Sequence, residues 1–411
     1  MTGTDVTGTD VTGTDVTGSG ATSADTTAGE TARGEGGHRG FVPPPYPYDR
    51  LAPLLALAER HDGGIVDLSI GTPCDPPPPA VLDALAASHT ERSYPPSVGT
   101  PAFRAAVSDW FDRRFSVDIE PSDIAACIGS KELVAGLPHW LRLRDPSRDT
   151  VLYPEVSYPS YAMGAQLAGC RAVPVPVDEQ WRLDLDGVDP SDAARALVLW
   201  SNTPANPTGG LDDLEAVAEW GRRHSVPVFS DECYAEFTWQ GDAGPAGVPG
   251  ATILSSGPQG VVAVHSLSKR SNLAGLRVGF YAGDHELVHY LSEVRKHAGF
   301  MVPGPAQAAG VAALADQGHV EQQRVRYLRR LERMAEVLTE FGLQVTLPGG
   351  GFYLWVPAPG GDAWALAERL ASELGVIVSP GEFYGDAHPG HVRVAVVQPD
   401  DLIDLVVERA R

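Results

Sequence analysis

Lysine is almost missing from this 411-residue chain: of 31 basic residues only Lys131, Lys269 and Lys296 are lysines. The remaining 28 are arginines. Where a surface charge is all that is needed, arginine supplies it. The three lysines therefore stand out for work arginine cannot do, such as losing a proton and attacking a carbonyl. Cysteine is also scarce. Cys74, Cys127, Cys170 and Cys233 are scattered, without a C-x-x-C pair or zinc spacing, so free thiols are expected. The 12 histidines show no metal spacing either, and no metal is expected; His265 and His297 read as structural. No apolar run approaches the ~18–20 residues of a membrane-spanning helix. The first residues hold neither a basic stretch nor an apolar one, so no export signal is expected and the cytoplasm is the expected location. Positive charge is outnumbered, 53 acids leaving a net −22. Such a surface repels phosphate backbones and anionic headgroups, so neither nucleic acid nor membrane is expected as a partner.

What remains is the composition of an ordinary globular protein, 43% hydrophobic and 20% charged, long enough for two or three domains. Residues 1–40 are the exception. They repeat a V-T-G-T-D pentad and hold 11 threonines and 10 glycines, too little apolar surface to offset ordering, and a disordered tail is expected. From about residue 41 the texture changes. Helical spacing marks 49–61 and 101–115, and short strands are expected at 65–70, 124–128, 151–153, 171–175, 196–201, 226–229, 261–264 and 278–282. Helices are expected from 130, near 158–168 and over 211–224. Apolar strands alternating with helices predict an α/β fold on a mostly parallel sheet. Beyond about 303 a long helical region (306–341) precedes strands at 344–346, 352–356 and 392–397, with helices 363–374 and 399–410. That pattern predicts a smaller α+β domain.

Sites on such sheets lie at the carboxyl ends of the strands. Gly129-Ser130-Lys131-Glu132 follows one strand and opens a helix, whose free amides favour an anion. Asn202-Thr-Pro-Ala-Asn206-Pro-Thr-Gly follows the strand at 196–201, Asp231 with Tyr234 follows that at 226–229, and Ser266-Leu-Ser-Lys269, with Arg277 eight residues on, follows that at 261–264. Each alone reads as a cap, a turn or a solvated charge. Together, an anion cradle, a carboxylate, a phenol, an amide and a lysine suit pyridoxal phosphate.

The run from Ser266 through Lys269, Asn272, Gly275 and Arg277 to Gly279 resembles the Schiff-base signature of fold-type I, class I/II aminotransferases. The Asn202–Gly209 and Asp231-x-x-Tyr234 motifs match that family in the same order. The resemblance implies a large domain with a mostly parallel sheet between helices, at 90–300. It implies a small domain built from 41–89 and 301–411. Lys269 matches the Schiff-base lysine that also moves the substrate proton, and Asp231 the partner of the pyridine nitrogen. Asn206 and Tyr234 match partners of the ring phenolate, and Ser266, Arg277, Ser130 and Lys131 the phosphate ligands. Tyr158 matches the aromatic stacked on the ring, and Tyr94 a residue lent to the partner subunit of a homodimer. Arg393, on a strand whose valines face the other way, matches the α-carboxylate arginine, and Gly71 a backbone close to substrate.

Within the family, the segments His265–Arg277, Arg295–Pro303 and Gly129–Val134 resemble succinyldiaminopimelate aminotransferase of actinobacterial lysine biosynthesis. The expected reaction exchanges the amino group of N-succinyl-LL-diaminopimelate with 2-oxoglutarate. An aspartate- or aromatic-type aminotransferase or a Cβ–S lyase of the same fold is the alternative. A transcriptional regulator would need a DNA-binding domain that 40 Thr/Gly-rich acidic residues cannot form. A catalytically dead binding module would lack Lys269. Because the donor carries extra carboxylates, a basic distal pocket is expected, with Arg270, Arg295 or Lys296 as its candidates.

Overall fold

A computed structural model describes residues 41–411; the expected tail, 1–40, lies outside the described residues. After a two-residue strand, β1 (Val66–Asp67), the chain builds a seven-stranded sheet. Its strands are β2 (Ile124–Cys127), β3 (Thr150–Pro154), β4 (Arg171–Val175), β5 (Ala196–Asn202), β6 (Val228–Asp231), β7 (Val261–Ser266) and β8 (Gly279–Gly283), in the order 2-8-7-6-5-3-4. Strands β3 to β7 run parallel, and β8 is antiparallel to both its neighbours. Every residue of β5 and β7 is buried, because helices cover both faces; that is why these strands read as unbroken apolar runs. The helices are started by side-chain caps: Asp213 accepts from Ala216 N before Leu214–His224, and Asp284 from Leu287 N before His285–His297.

A second sheet holds β9 (Tyr353–Pro357), β11 (Ser379–Pro380) and β12 (His391–Ala395), while β10 (Val376–Ile377) pairs in parallel with β1. One apolar cluster ties Leu54, Val66 and Leu68 to Leu331, Leu366, Val376, Val392 and Ile403, so chain segments some 300 residues apart share a core. Helices Pro79–Ala86 and Gly304–Ala315 contribute Val81, Ala306, Ala309 and Ala313 to the cluster under the large sheet.

Several local expectations are corrected. Residues 344–346 form no strand but an irregular segment after the helix Gly318–Glu340. The expected strand at 65–70 shortens to β1. The long helix divides into Gly304–Ala315 and Gly318–Glu340. The helix Pro79–Ala86 opens with Pro79 in its first turn, where the missing N–H costs nothing. Among the described residues, no helix is long and apolar enough to cross a membrane.

Candidate active site

The register of the sheet assembles the site. Asn202, the last residue of β5, pairs with Asp231, the last of β6, and Asp231 pairs with Val264 two residues before β7 ends. The loops leaving these three strands surround a cavity of about 340 Å³. Asn202 ties two of them together: its Nδ2 donates to Asp231 O at 2.9 Å and its Oδ1 accepts from Asn206 N at 2.8 Å.

Lys269 sits on the single helical turn Leu267–Arg270 that follows β7. Its Nζ donates to Gly71 O and lies 5.8 Å from the Phe352 ring centroid. Burial, then the positive charges of Arg393 and Arg277, lower its pKa to about 8. Asp231 faces the same cavity. Its Oδ2 accepts from the Tyr161 hydroxyl at 3.0 Å and its Oδ1 from Cys233 N at 3.3 Å, and burial raises its pKa. Tyr234 and Tyr353 join hydroxyls at 2.8 Å.

One end of the cavity is shaped for an anion. Gly129, at φ +71°, caps the helix Ser130–Arg144 and leaves the amides of Ser130 and Lys131 free. An added Cβ there would lie 2.3 Å from Arg277 Nη2, so the glycine is what lets the guanidinium approach the helix start. Arg277 is held by Ala274 O at 3.0 Å and Ile128 O at 3.3 Å. The Ser266 and Ser268 hydroxyls, 2.9 Å apart, complete this end.

Arg393 stands at the other side, only 2% exposed, between the rings of Tyr353 (4.3 Å) and Tyr384 (4.8 Å). It donates to Asn206 Oδ1 at 2.8 Å, Tyr48 Oη at 3.2 Å and Ser69 O at 2.5 Å. Gly71 lies against Tyr353, whose hydroxyl would be 2.1 Å from an added Cβ.

Residues 63–409 match the family described as aminotransferase class I and II. The chain belongs to that family. It is 40% identical over 369 residues to 4-dedimethylamino-4-oxo-anhydrotetracycline transaminase OxyQ of Streptomyces rimosus, covering 89% of this chain and 98% of that one. It is 34% identical over 382 residues to an LL-diaminopimelate aminotransferase of Desulforudis audaxviator, covering 90% and 95%. A solved aminotransferase of Neisseria meningitidis superposes with a TM-score of 0.80 at 28% identity, over 89% of this chain and 96% of that one. The fold is thus that of the fold-type I aminotransferases, and the cofactor is pyridoxal 5′-phosphate. The residues present fit it: the Gly129–Arg277 cradle would close if a Cβ were added, and the half-buried Asp231 carboxylate and a lysine with a lowered pKa face the same cavity.

Of the residues singled out from sequence, Gly71, Ser130, Lys131, Tyr158, Asn206, Asp231, Tyr234, Ser266, Lys269, Arg277 and Arg393 line this one cavity. Tyr94 does not; it is 94% exposed on the chain surface. The three cations expected in the distal pocket are elsewhere. Arg270 is buried on Glu236 at 3.0 Å, Arg295 on Glu132 at 2.9 Å, and Lys296 is exposed beside Glu293 at 3.5 Å. A buried arginine needs a carboxylate and finds one in the core, which removes it from the site. Lys131, expected to act through its backbone amide alone, also sends its ammonium into the cavity, 5.4 Å from the ring centroids of both Tyr46 and Tyr158. Sequence reading missed Tyr46, Tyr48, Tyr161 and Tyr353. Only Tyr161 carried a signal, standing three residues after Tyr158 within a helix expected over 158–168.

Proposed function

We propose that this aminotransferase exchanges the amino group of N-succinyl-LL-diaminopimelate with 2-oxoglutarate, giving N-succinyl-2-amino-6-ketopimelate and glutamate. Pyridoxal 5′-phosphate, once bound, supplies an aldehyde that captures amines and a ring that accepts negative charge from the substrate Cα. The chain does the rest. Ser130 and Lys131 amides, Ser266 and Arg277 hold the phosphate. Asp231 would keep the ring nitrogen protonated, Asn206 and Tyr234 would bond the ring oxygen, and Tyr158 would stack on the ring. Arg393 grips the α-carboxylate as a planar fork, with Gly71 backing the substrate. Lys269 anchors the cofactor and moves the proton at the substrate Cα. Tyr94 reaches the phosphate site of a second copy in a cytoplasmic homodimer. We divide the chain as 41–89 with 301–411 against 90–300.

The observation that supports this substrate class is the third cation. Arg277 serves the phosphate end and Arg393 the α-carboxylate, which leaves the Lys131 ammonium facing the cavity without an ion-pair partner among the described residues. Burial alone would lower its pKa, but the Tyr158 and Tyr46 phenols outweigh that and raise it. A donor with a carboxylate beyond the α position satisfies this charge; an aromatic donor does not. Unsuccinylated LL-diaminopimelate is the second reading, favoured by the relative of that name. A donor panel with 2-oxoglutarate separates the two. The succinylated donor is expected to give the highest kcat/KM, and a preference for LL-diaminopimelate, aspartate or phenylalanine would overturn this assignment.

Two further outcomes are expected. Lys131→Met keeps the backbone amide and removes the ammonium, so kcat/KM for the succinylated donor should fall about 10- to 100-fold, a charged hydrogen bond's worth. Alanine as donor should change little, and equal losses on both donors would show that Lys131 does not read the distal end. The second concerns pH. Only neutral Lys269 is nucleophilic, so capture of pyridoxal phosphate by the cofactor-free protein should speed up with pH below about 8 and level off above it. Stopped-flow absorbance measures this, and a rate that stays flat through that range would contradict the lowered pKa.

A further inference from the structure

Asp231 is given a partner that its assigned role does not require. A carboxylate at this depth is disfavoured by desolvation, and it persists only if donors hold its charge. Of its two oxygens, Oδ1 has a long bond from Cys233 N, 3.3 Å. Oδ2 has the Tyr161 hydroxyl at 3.0 Å. Tyr161 is 1% exposed, on the helix Ser160–Leu167, with its ring packed on Trp200 of β5 at 5.3 Å; Trp200 packs in turn on Phe229 of β6 at 5.6 Å. The ring is thus braced on the two strands whose ends carry Asn202 and Asp231, and its hydroxyl reaches the end of the second.

Other groups around Asp231 share the task with Tyr161 or have partners of their own. His265, on β7, has its Nε2 3.0 Å from Glu232 Oε2 on the far side. The Cys233 thiol meets Ser130 Oγ at 3.2 Å and is also a side-chain donor toward Asp231, while burial, and next the Asp231 charge, keep it neutral by raising its pKa well above normal. Burial, and next the Asp231 charge, raise the Tyr161 phenol in the same way, so it keeps its proton and donates. Lys269 and Arg277 line the same cavity, and their hydrogen bonds go to Gly71 O, Ala274 O and Ile128 O rather than to Asp231.

We propose that Tyr161 is a positioning residue for the transamination: its hydroxyl fixes Asp231 and holds the negative charge there, so that the proton shared with the ring nitrogen of the cofactor stays on the ring. This rests on the role assigned to Asp231 above. A carboxylate without that donor is a stronger base and draws the proton toward itself, and the ring then accepts less charge from the substrate.

The test is a pH titration of the visible absorbance of the cofactor-loaded enzyme, whose midpoint rises when positive charge on the ring is lost. Tyr161→Phe keeps the ring and removes only the O–H. Its midpoint should move up by about half a unit to one unit, and kcat should fall roughly tenfold, with KM for the donor nearly unchanged. Asp231→Ala should move the midpoint further in the same direction, and Trp200→Phe, which loosens the packing but leaves the O–H, should not move it. A Tyr161→Phe midpoint equal to wild type beside a shifted Asp231→Ala would overturn the proposal. So would a Trp200→Phe shift as large as that of Tyr161→Phe, which would assign Tyr161 to packing. No shift in Asp231→Ala would instead refute the role given to Asp231.

Discussion

Lys269→Ala is expected to lower transamination by about 10⁴-fold or more, with the protein still folded. The estimate follows from two losses. General acid–base transfer by a placed side chain contributes ~10²–10⁴-fold, and the same nitrogen also anchors the cofactor. The variant removes a half-buried amine whose hydrogen bond goes to Gly71 O, so the core around it should survive. Borohydride reduction of the wild-type holoenzyme, followed by peptide mapping, checks the assignment independently of rate. The pyridoxyl label should appear on Lys269. Finding it on Lys131 or Lys296 would refute the assignment.

Arg393→Lys is expected to cost about 10²- to 10³-fold in kcat/KM, and on every amino donor alike. The guanidinium serves several partners at once: Asn206 Oδ1, Ser69 O and Tyr48 Oη, with Tyr353 and Tyr384 on its two faces. An ammonium is a point donor. It can keep some of these bonds but cannot hold Asn206 in place and still present two parallel N–H groups to a carboxylate. The uniform loss distinguishes this residue from Lys131, whose removal should hurt only donors with a distal carboxylate. Steady-state kinetics on alanine and the succinylated donor make the comparison, and an Arg393→Lys enzyme that lost only one of them would place the α-carboxylate elsewhere.

The centre of this site was legible in the chain because its residues lie at strand ends and in short contiguous motifs. Ser266 to Arg277 spans twelve residues, and Asp231 and Tyr234 lie three apart; local geometry fixes where such neighbours point. The parallel sheet was legible for a similar reason, since strands buried on both faces become apolar runs. The distal pocket was not. Arg270 follows Lys269 directly, yet it points away to Glu236, Ala313 O and Gln317, because the turn that aims Lys269 into the cavity aims its neighbour into the core.

The α/β class, the order of the cofactor motifs and the scarcity that makes Lys269 conspicuous are all properties of the linear chain. Which cations face the cavity, which tyrosines wall it and which hydroxyl bonds to Asp231 are not. Tyr46, Tyr48, Tyr353 and Tyr384 come from loops and strands more than 300 residues apart, and ordinary aromatic spacing carries no sign that they converge on Arg393 or Lys131. Their meeting is decided by β1 pairing with β10 and by the shared apolar cluster beneath. Those are long-range contacts, whose partners depend on how whole surfaces pack rather than on any spacing along the chain.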